Sequence, residues 1–223
     1  MKTMFKRLWA VFIFSAVFLF NTLLSTAQTN TYKTISLPKD VSIELTSNWI
    51  ALLNNERLTL DKYAKLSIDS AGFNRQPSEL PFAANYYDEN GSIIGILNIR
   101  YYPKQELSQS DAQKMTDQEV NLLDATLKNG ILIGLKKSKL SLVSWNGTTK
   151  ESINGITVFL TEYYRSSSIS KSNFRVRLIR VLAKDGSFTL TVSYIKTAET
   201  LLEPITDRVI GSLKFASDTK TDK

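Results

Sequence analysis

The chain contains no cysteine and no histidine. Without a thiol there is no disulfide, no thiolate nucleophile and no iron–sulfur or thiolate zinc site. Without imidazole, the commonest general base, the Ser-His-Asp triad and every imidazole metal site are excluded too. Carboxylate, Lys and Tyr chemistry remain. The phosphate-cradling glycine pattern and the G-x-S-x-G elbow are both missing. Neither an internal repeat nor a regular alternation of strand and helix patterns is present.

The first 27 residues stand apart. Lys2, Lys6 and Arg7 precede an apolar run from Leu8 to Phe20 broken only by Ser15, and Ser25-Thr26-Ala27 puts small residues where a signal peptidase reads. This layout predicts a signal peptide cleaved after Ala27 and hence a periplasmic or secreted protein. The alternative is an uncleaved membrane anchor, disfavoured because Asn21 interrupts the run before the roughly 20 apolar residues a spanning helix wants. Removing the leader leaves 196 residues, with 25 basic against 21 acidic. A net +4 over that length is ordinary solubility and not a nucleic-acid footprint. Residues 28–215 are expected to form a single domain, followed by a polar tail at 216–223.

Short alternating runs at Ile35–Leu37 and Val41–Leu45 predict strands. Residues 54–64 fit either a helix or a strand. "DSAGFNRQPSELP" reads as loop. "FAANYYDENGSIIGILNIRYY" reads as a hairpin about a two-residue Asn90-Gly91 turn, its second strand apolar on both faces and therefore central. Asp88-Glu89-Asn90-Gly91 only faintly resembles a calcium loop. "SQSDAQKMTDQEVNLLDATLKNG" predicts one helix, capped by Ser110 with Gln113 and stopped at Gly130. Asn146-Gly147 and Asn154-Gly155 predict two further turns. "LLEPITDRVIGSL" predicts a last short helix with Pro204 in its first turn. Hairpins with segregated helices mean an α+β fold, mainly antiparallel sheet flanked by helices. In each of the tyrosine pairs 86–87, 101–102 and 163–164, one ring should face the core and its neighbour the opposite side.

The segment "SNFRVRLIRVLAKDGSFTLTVSYI" (172–195) sets Arg175, Arg177 and Arg180 among branched aliphatics. Their faces depend on hairpin register. A two-residue turn at Asp185-Gly186 sends Arg175 and Arg177 to the face of Phe188, Leu190 and Val192. A three-residue loop pairs Leu182 with Phe188 and Val176 with Tyr194, leaving only Arg180 among apolar neighbours. Burying an unpaired charge costs several kcal/mol, so the second register is preferred. It places Arg175 and Arg177 on an outer face, near Arg165. That face is either solvated or helix-covered, with its arginines paired with acids, or, with Arg165, Arg175, Arg177 and Arg180, a strip for an anion or partner.

"VSIELTSNW" (41–49), "FRVRLIRVLAKDGSFTLTVSY" (174–194) and "ITDRVIGSLKF" (205–215) together resemble the PsbP-like fold family. That family is shared by the photosystem II extrinsic subunit and the yeast Ran-release factor. The resemblance covers about residues 33–215, and Thr46 stands where the family usually has Pro. It implies an α/β/α sandwich and a binding or assembly role rather than catalysis. The plant subunit's metal-linked histidines have no counterpart here. The expectation is a non-catalytic accessory protein without cofactor or metal, acting on another protein or the envelope surface and not on nucleic acid. A small-molecule binder or a carboxylate- or Tyr-based hydrolase is the competing reading.

Overall fold

The computed structural model describes residues 31–37, 41–69, 78–103, 107–167, 171–183 and 186–215. The leader (1–27) and the polar tail (216–223) lie outside them. The chain divides into Met1–Thr31 and Tyr32–Lys223, and the fold is that of the second unit. Its elements in chain order are β1 (Tyr32–Ser36), β2 (Val41–Thr46), β3 (Trp49–Ala51), α1 (Asn54–Asp69), β4 (Glu79–Tyr87), β5 (Ile93–Tyr102), α2 (Gln109–Lys114) and α3 (Asp117–Lys137). There follow β6 (Leu142–Ile153), β7 (Ile156–Arg165), β8 (Phe174–Ala183), β9 (Gly186–Ile195), a 3-10 turn (Lys196–Ala198), α4 (Glu199–Gly211) and β10 (Lys214–Phe215).

Seven strands form one antiparallel sheet in the order β3-β4-β5-β9-β8-β7-β6, and β1-β2-β10 form a second, smaller one. The architecture is therefore α+β. Strand periodicity gives the large sheet two faces. Face A carries Leu97, Ile99, Ile179, Val181, Leu190 and Val192, and buries them against α4 and the small sheet. Helix α4 presents Leu202, Ile205, Val209 and Ile210 to that core. Its end is strapped to β2, where the Glu44 N–H donates to Ser212 Oγ at 2.8 Å. Face B is partly covered by the other helices. Helix α1 lies on β4, α2 on β7 and β8, and α3 on β6.

Residues 54–64 belong to a helix, which runs on to Asp69. The strand β4 starts at Glu79, inside the stretch read as loop, and absorbs Pro81 by a register shift between Glu79 and Phe82. The single helix expected from "SQSDAQKM" onward is two. Ser108 with Asp111 and Thr116 with Glu119 form successive capping boxes, so the chain starts a helix twice. Gly130 does not stop α3, because Ile131 and Leu135 continue the apolar stripe onto Tyr163, Phe174 and Val176. Asn146-Gly147 is an irregularity within β6, not a turn. Asn154-Gly155 is a turn, with both residues at positive φ. The Asn90-Gly91 connection is longer than two residues. The Asp88 carboxylate accepts from the Asn90 and Ser92 N–H groups at 2.9 and 2.7 Å and organises it. Pro204 sits inside α4 rather than in its first turn. Thr46 is buried, its hydroxyl without a hydrogen-bond partner. Tyr86, Tyr101 and Tyr163 are buried while Tyr87, Tyr102 and Tyr164 are half-buried on the opposite faces.

The preferred register of the β8–β9 hairpin is overturned. Leu182 pairs with Ser187, Val181 with Phe188 and Arg175 with Tyr194, one residue away from that register. The close approach of Gly186 to β5 accompanies this pairing: a Cβ built there would lie 2.4 Å from the Tyr102 carbonyl oxygen. A backbone atom cannot swing aside. Gly186→Ala is expected to cost about 2 kcal/mol, read as a lowered urea midpoint; an unchanged midpoint would contradict the register.

Candidate functional site

The observed pairing puts Arg175 and Arg177 on face A, opposite Tyr194 and Val192, where the preferred register had them pointing outward. They are half-buried, and acids meet them. Arg175 Nη2 donates to Glu162 Oε2 at 2.9 Å, and its Nη1 donates to Glu199 Oε1 at 2.9 Å, to Glu203 Oε1 and to the Tyr194 hydroxyl at 3.1 Å. Arg177 Nη1 donates to Asp207 Oδ1, and its Nε lies 3.7 Å from Glu162 Oε2. Glu162 is on β7, while Glu199, Glu203 and Asp207 form an i, i+4, i+8 stripe along α4 beside its apolar stripe. Burial pulls the Arg175 guanidinium down, but its hydrogen bonds to Glu162 and Glu203 more than reverse this, so its pKa is raised. Tyr164 donates to Glu199 at 2.8 Å, and burial together with that bond pushes its phenol up to about 12. This cluster joins α4 to the sheet.

Arg165 and Arg180 lie on face B. Arg165 is therefore not beside Arg175 and Arg177. It caps the end of β7, stacks over the Phe174 ring at 4.9 Å and donates to the Ser166 carbonyl at 2.9 Å. Burial lowers its pKa. Arg180 is six residues along β8 from Phe174, the Arg165 partner, a span of roughly 20 Å. The four arginines thus make three separate environments rather than one strip.

Arg180 stands in a polar row across three strands, where Arg100 on β5 pairs with Thr189 on β9 and Thr189 with Arg180 on β8. Asn98 and Thr191 form the next row on one side, and Tyr102 and Ser187 on the other. These residues lie between α1 on one flank and α2 with α3 on the other, and all but buried Ser187 are half-buried. Arg100 is matched by Asp61 of α1 at 2.7 Å. Gln109 anchors α2 next to the row, its side chain bonding the Thr157 N–H and the Leu182 carbonyl at 2.9 and 2.6 Å. Burial draws the Arg180 pKa down, with the Tyr102 phenol acting in the opposite sense. The Thr189 hydroxyl is buried without a partner. The Arg100–Thr189–Arg180 row was not legible before the register was known. Its signal is the Thr189, Thr191, Ser193 alternation in β9.

A groove of about 570 Å³ between α2 and α3 is lined by Leu107, Met115, Leu122, Leu123 and Thr126 with Asp111, Lys114 and Glu119. Both acids are engaged. Asp111 Oδ2 accepts from Ser108 and Glu119 Oε2 from Thr116, and hydrogen bonds to Ser108 and to Thr116 lower the two pKa values. A general acid needs its pKa raised, so this acid pair is tuned the wrong way. Among the described residues no group of three or more acids could hold a metal ion.

Replacing Arg175 by Met leaves Glu162 and Glu199 facing each other without their shared cation. The expected cost is about 3 kcal/mol in urea unfolding. Glu203→Gln, at a more exposed partner, should cost under about 1 kcal/mol. Equal losses from the two variants would contradict the assigned network.

Neither a protein-family model nor a curated protein matches the chain. Solved structures do. The solution structure of cyanobacterial PsbP (CyanoP) from Synechocystis sp. PCC 6803 matches with a TM-score of 0.50 at 8% identity, over 86% of this chain and 96% of that one. Mog1p of Saccharomyces cerevisiae, described as a Ran-binding protein, matches with a TM-score of 0.43 at 5% identity, over 83% and 96%. LpqN of Mycobacterium tuberculosis, described as involved in cell envelope biogenesis, matches with a TM-score of 0.40 at 10% identity, over 84% and 91%. The likeness is one of fold: the chain has a PsbP-like fold.

Proposed function

We propose that this chain is an exported, non-catalytic binding protein that engages a protein partner through the helix-bearing face B. The observation that carries the reading is where its large apolar side chains remain exposed. Among the described residues, Ile50, Leu53, Leu58 and Leu60 lie on or beside β3 and α1, Leu107, Leu122 and Leu132 on or beside α2 and α3, and Val143 on the edge strand β6. On α4, which covers the opposite face, Leu201 is exposed. Solvation disfavours such exposure, and burial against a partner relieves it. Face B thus exposes apolar side chains on both flanks of its polar centre, and it is along those flanks that a partner is expected to bury them. The hydrolase reading is weakened because the acids of the α2–α3 groove are committed to helix caps. The leader at 1–27 supports export.

The test is site-specific photo-cross-linking in cells that make the protein. A cross-linker at Leu58 or at Leu122 should trap one common protein, and the same group at Leu201 should not. Leu58→Asp with Leu122→Asp should abolish its recovery. Trapping from Leu201 in preference, or trapping of lipid instead of protein, would contradict the assignment. The exported form is expected to begin at Gln28, and a mass matching all 223 residues would contradict cleavage.

A further inference from the structure

We infer that the row formed by Arg180 and Thr189 on face B is a carboxylate-binding site, completed by an acidic side chain or chain end of the partner. The inference rests on the reading of face B as a contact surface for the carrier of that carboxylate, and on its own observations for the chemistry.

Every other arginine whose side chain is described has a polar partner. Arg57 bonds Pro81 and Asn54, Arg100 bonds Asp61, Arg165 bonds Ser166, Arg175 and Arg177 bond the acids of β7 and α4, and Arg208 bonds Glu44. Arg180 has neither a hydrogen bond nor an ion pair among the described residues. It is nonetheless partly withdrawn from water, and its pKa is drawn down by that burial. A guanidinium so placed forfeits hydration and recovers no polar partner among the described residues. Thr189, directly across the ladder on the same face, adds a buried hydroxyl that also lacks a partner. Opposed residues of an antiparallel pair hold their Cβ atoms about 5 Å apart. One anionic group could therefore meet both, if the Thr189 hydroxyl turns toward it. Tyr102, on the adjoining row, contributes a further phenolic donor.

The charge selects the class of anion. Asp61 already neutralises Arg100, so among the described residues the row offers one uncompensated positive charge with neutral hydroxyl donors around it. That matches a carboxylate, whose two oxygens suit the planar fork of one guanidinium. A phosphate carries nearly two charges and calls for a second free cation. The same logic separates Arg180 from Arg175, whose charge is consumed within the fold.

The test follows the Arg180 Nε–H and the Thr189 amide by NMR while three probes are titrated into the full chain: N-acetyl-glutamate N-methylamide, its glutamine counterpart and inorganic phosphate. The capped glutamate should shift both signals saturably, the glutamine probe should not, and phosphate should bind more weakly. Arg180→Gln should weaken the glutamate response by about tenfold or more. No saturable shift, equal response to the glutamine probe, phosphate binding as tightly, or an unaltered response in Arg180→Gln would each overturn the site. Arg180→Met should unfold in urea no more readily than the parent, since it removes an uncompensated charge; a loss like that of Arg175→Met would show Arg180 to be structural and overturn the proposal. Cross-linking from Leu58 and Leu122 reads the contact surface without Arg180, so either idea can fail alone.

Discussion

Arg175 and Arg177 sit two residues apart on β8, so they share a face of the sheet whatever the register. Five residues separate Arg175 from Arg180, so Arg180 takes the other face. Which face each receives is a single binary choice for the whole hairpin. Glu162 on β7 and the stripe Glu199, Glu203, Asp207 on α4 settle it, because only under α4 do the two arginines find matching charge. With that choice made, Ile179 and Val181 enter the core beside Leu190 and Val192, and α4 docks along a defined line. The other face receives Arg180, Thr189 and Thr191.

This arrangement divides the molecule into a face closed by α4 and the small sheet and a face that the other helices cover only in part. Face A is closed by α4 and the small sheet, with buried Trp49 and Tyr86 meeting edge to face at 5.4 Å. Face B carries separate helical units, each with its own small apolar cluster, namely Phe159 and Leu182 under α2 and Tyr163 and Phe174 under α3. Between these units and α1 the centre of the sheet stays polar. A continuous apolar core there would have hidden Arg180, whereas two clusters set apart leave a seam where a charged side chain can persist.

Much of the fold could be read from residue pattern because it rests on local rules. The alternation in 41–45 and 93–101, the Asn154-Gly155 turn and the paired tyrosines all depend on neighbours close in sequence. The split into α2 and α3 was also visible in principle, as two capping boxes at Ser108–Asp111 and Thr116–Glu119. A long apolar stripe beyond Met115 concealed it, and that stripe also carries α3 past Gly130. The hairpin register failed for a different reason. Counting charges on β8 and β9 alone makes burial of two arginines look more costly than burial of one. The compensating acids lie on α4 and β7, and three of them follow the hairpin in sequence. Their i, i+4, i+8 spacing against an i, i+2 pair of arginines was the overlooked sign. Arg165, Arg175, Arg177 and Arg180 were legible as notable residues, while their separation into strand-end cap, ion-pair network and polar row was a tertiary outcome.

The assignment of faces is most directly tested by cross-strand NOEs along β8 and β9. Contacts pairing Arg175 with Tyr194 and Arg177 with Val192 are expected, as is protection from hydrogen exchange through this central pair. A pattern displaced by one residue, with Val176 opposite Tyr194, would return Arg175 and Arg177 to the open face and contradict the division of the molecule described above.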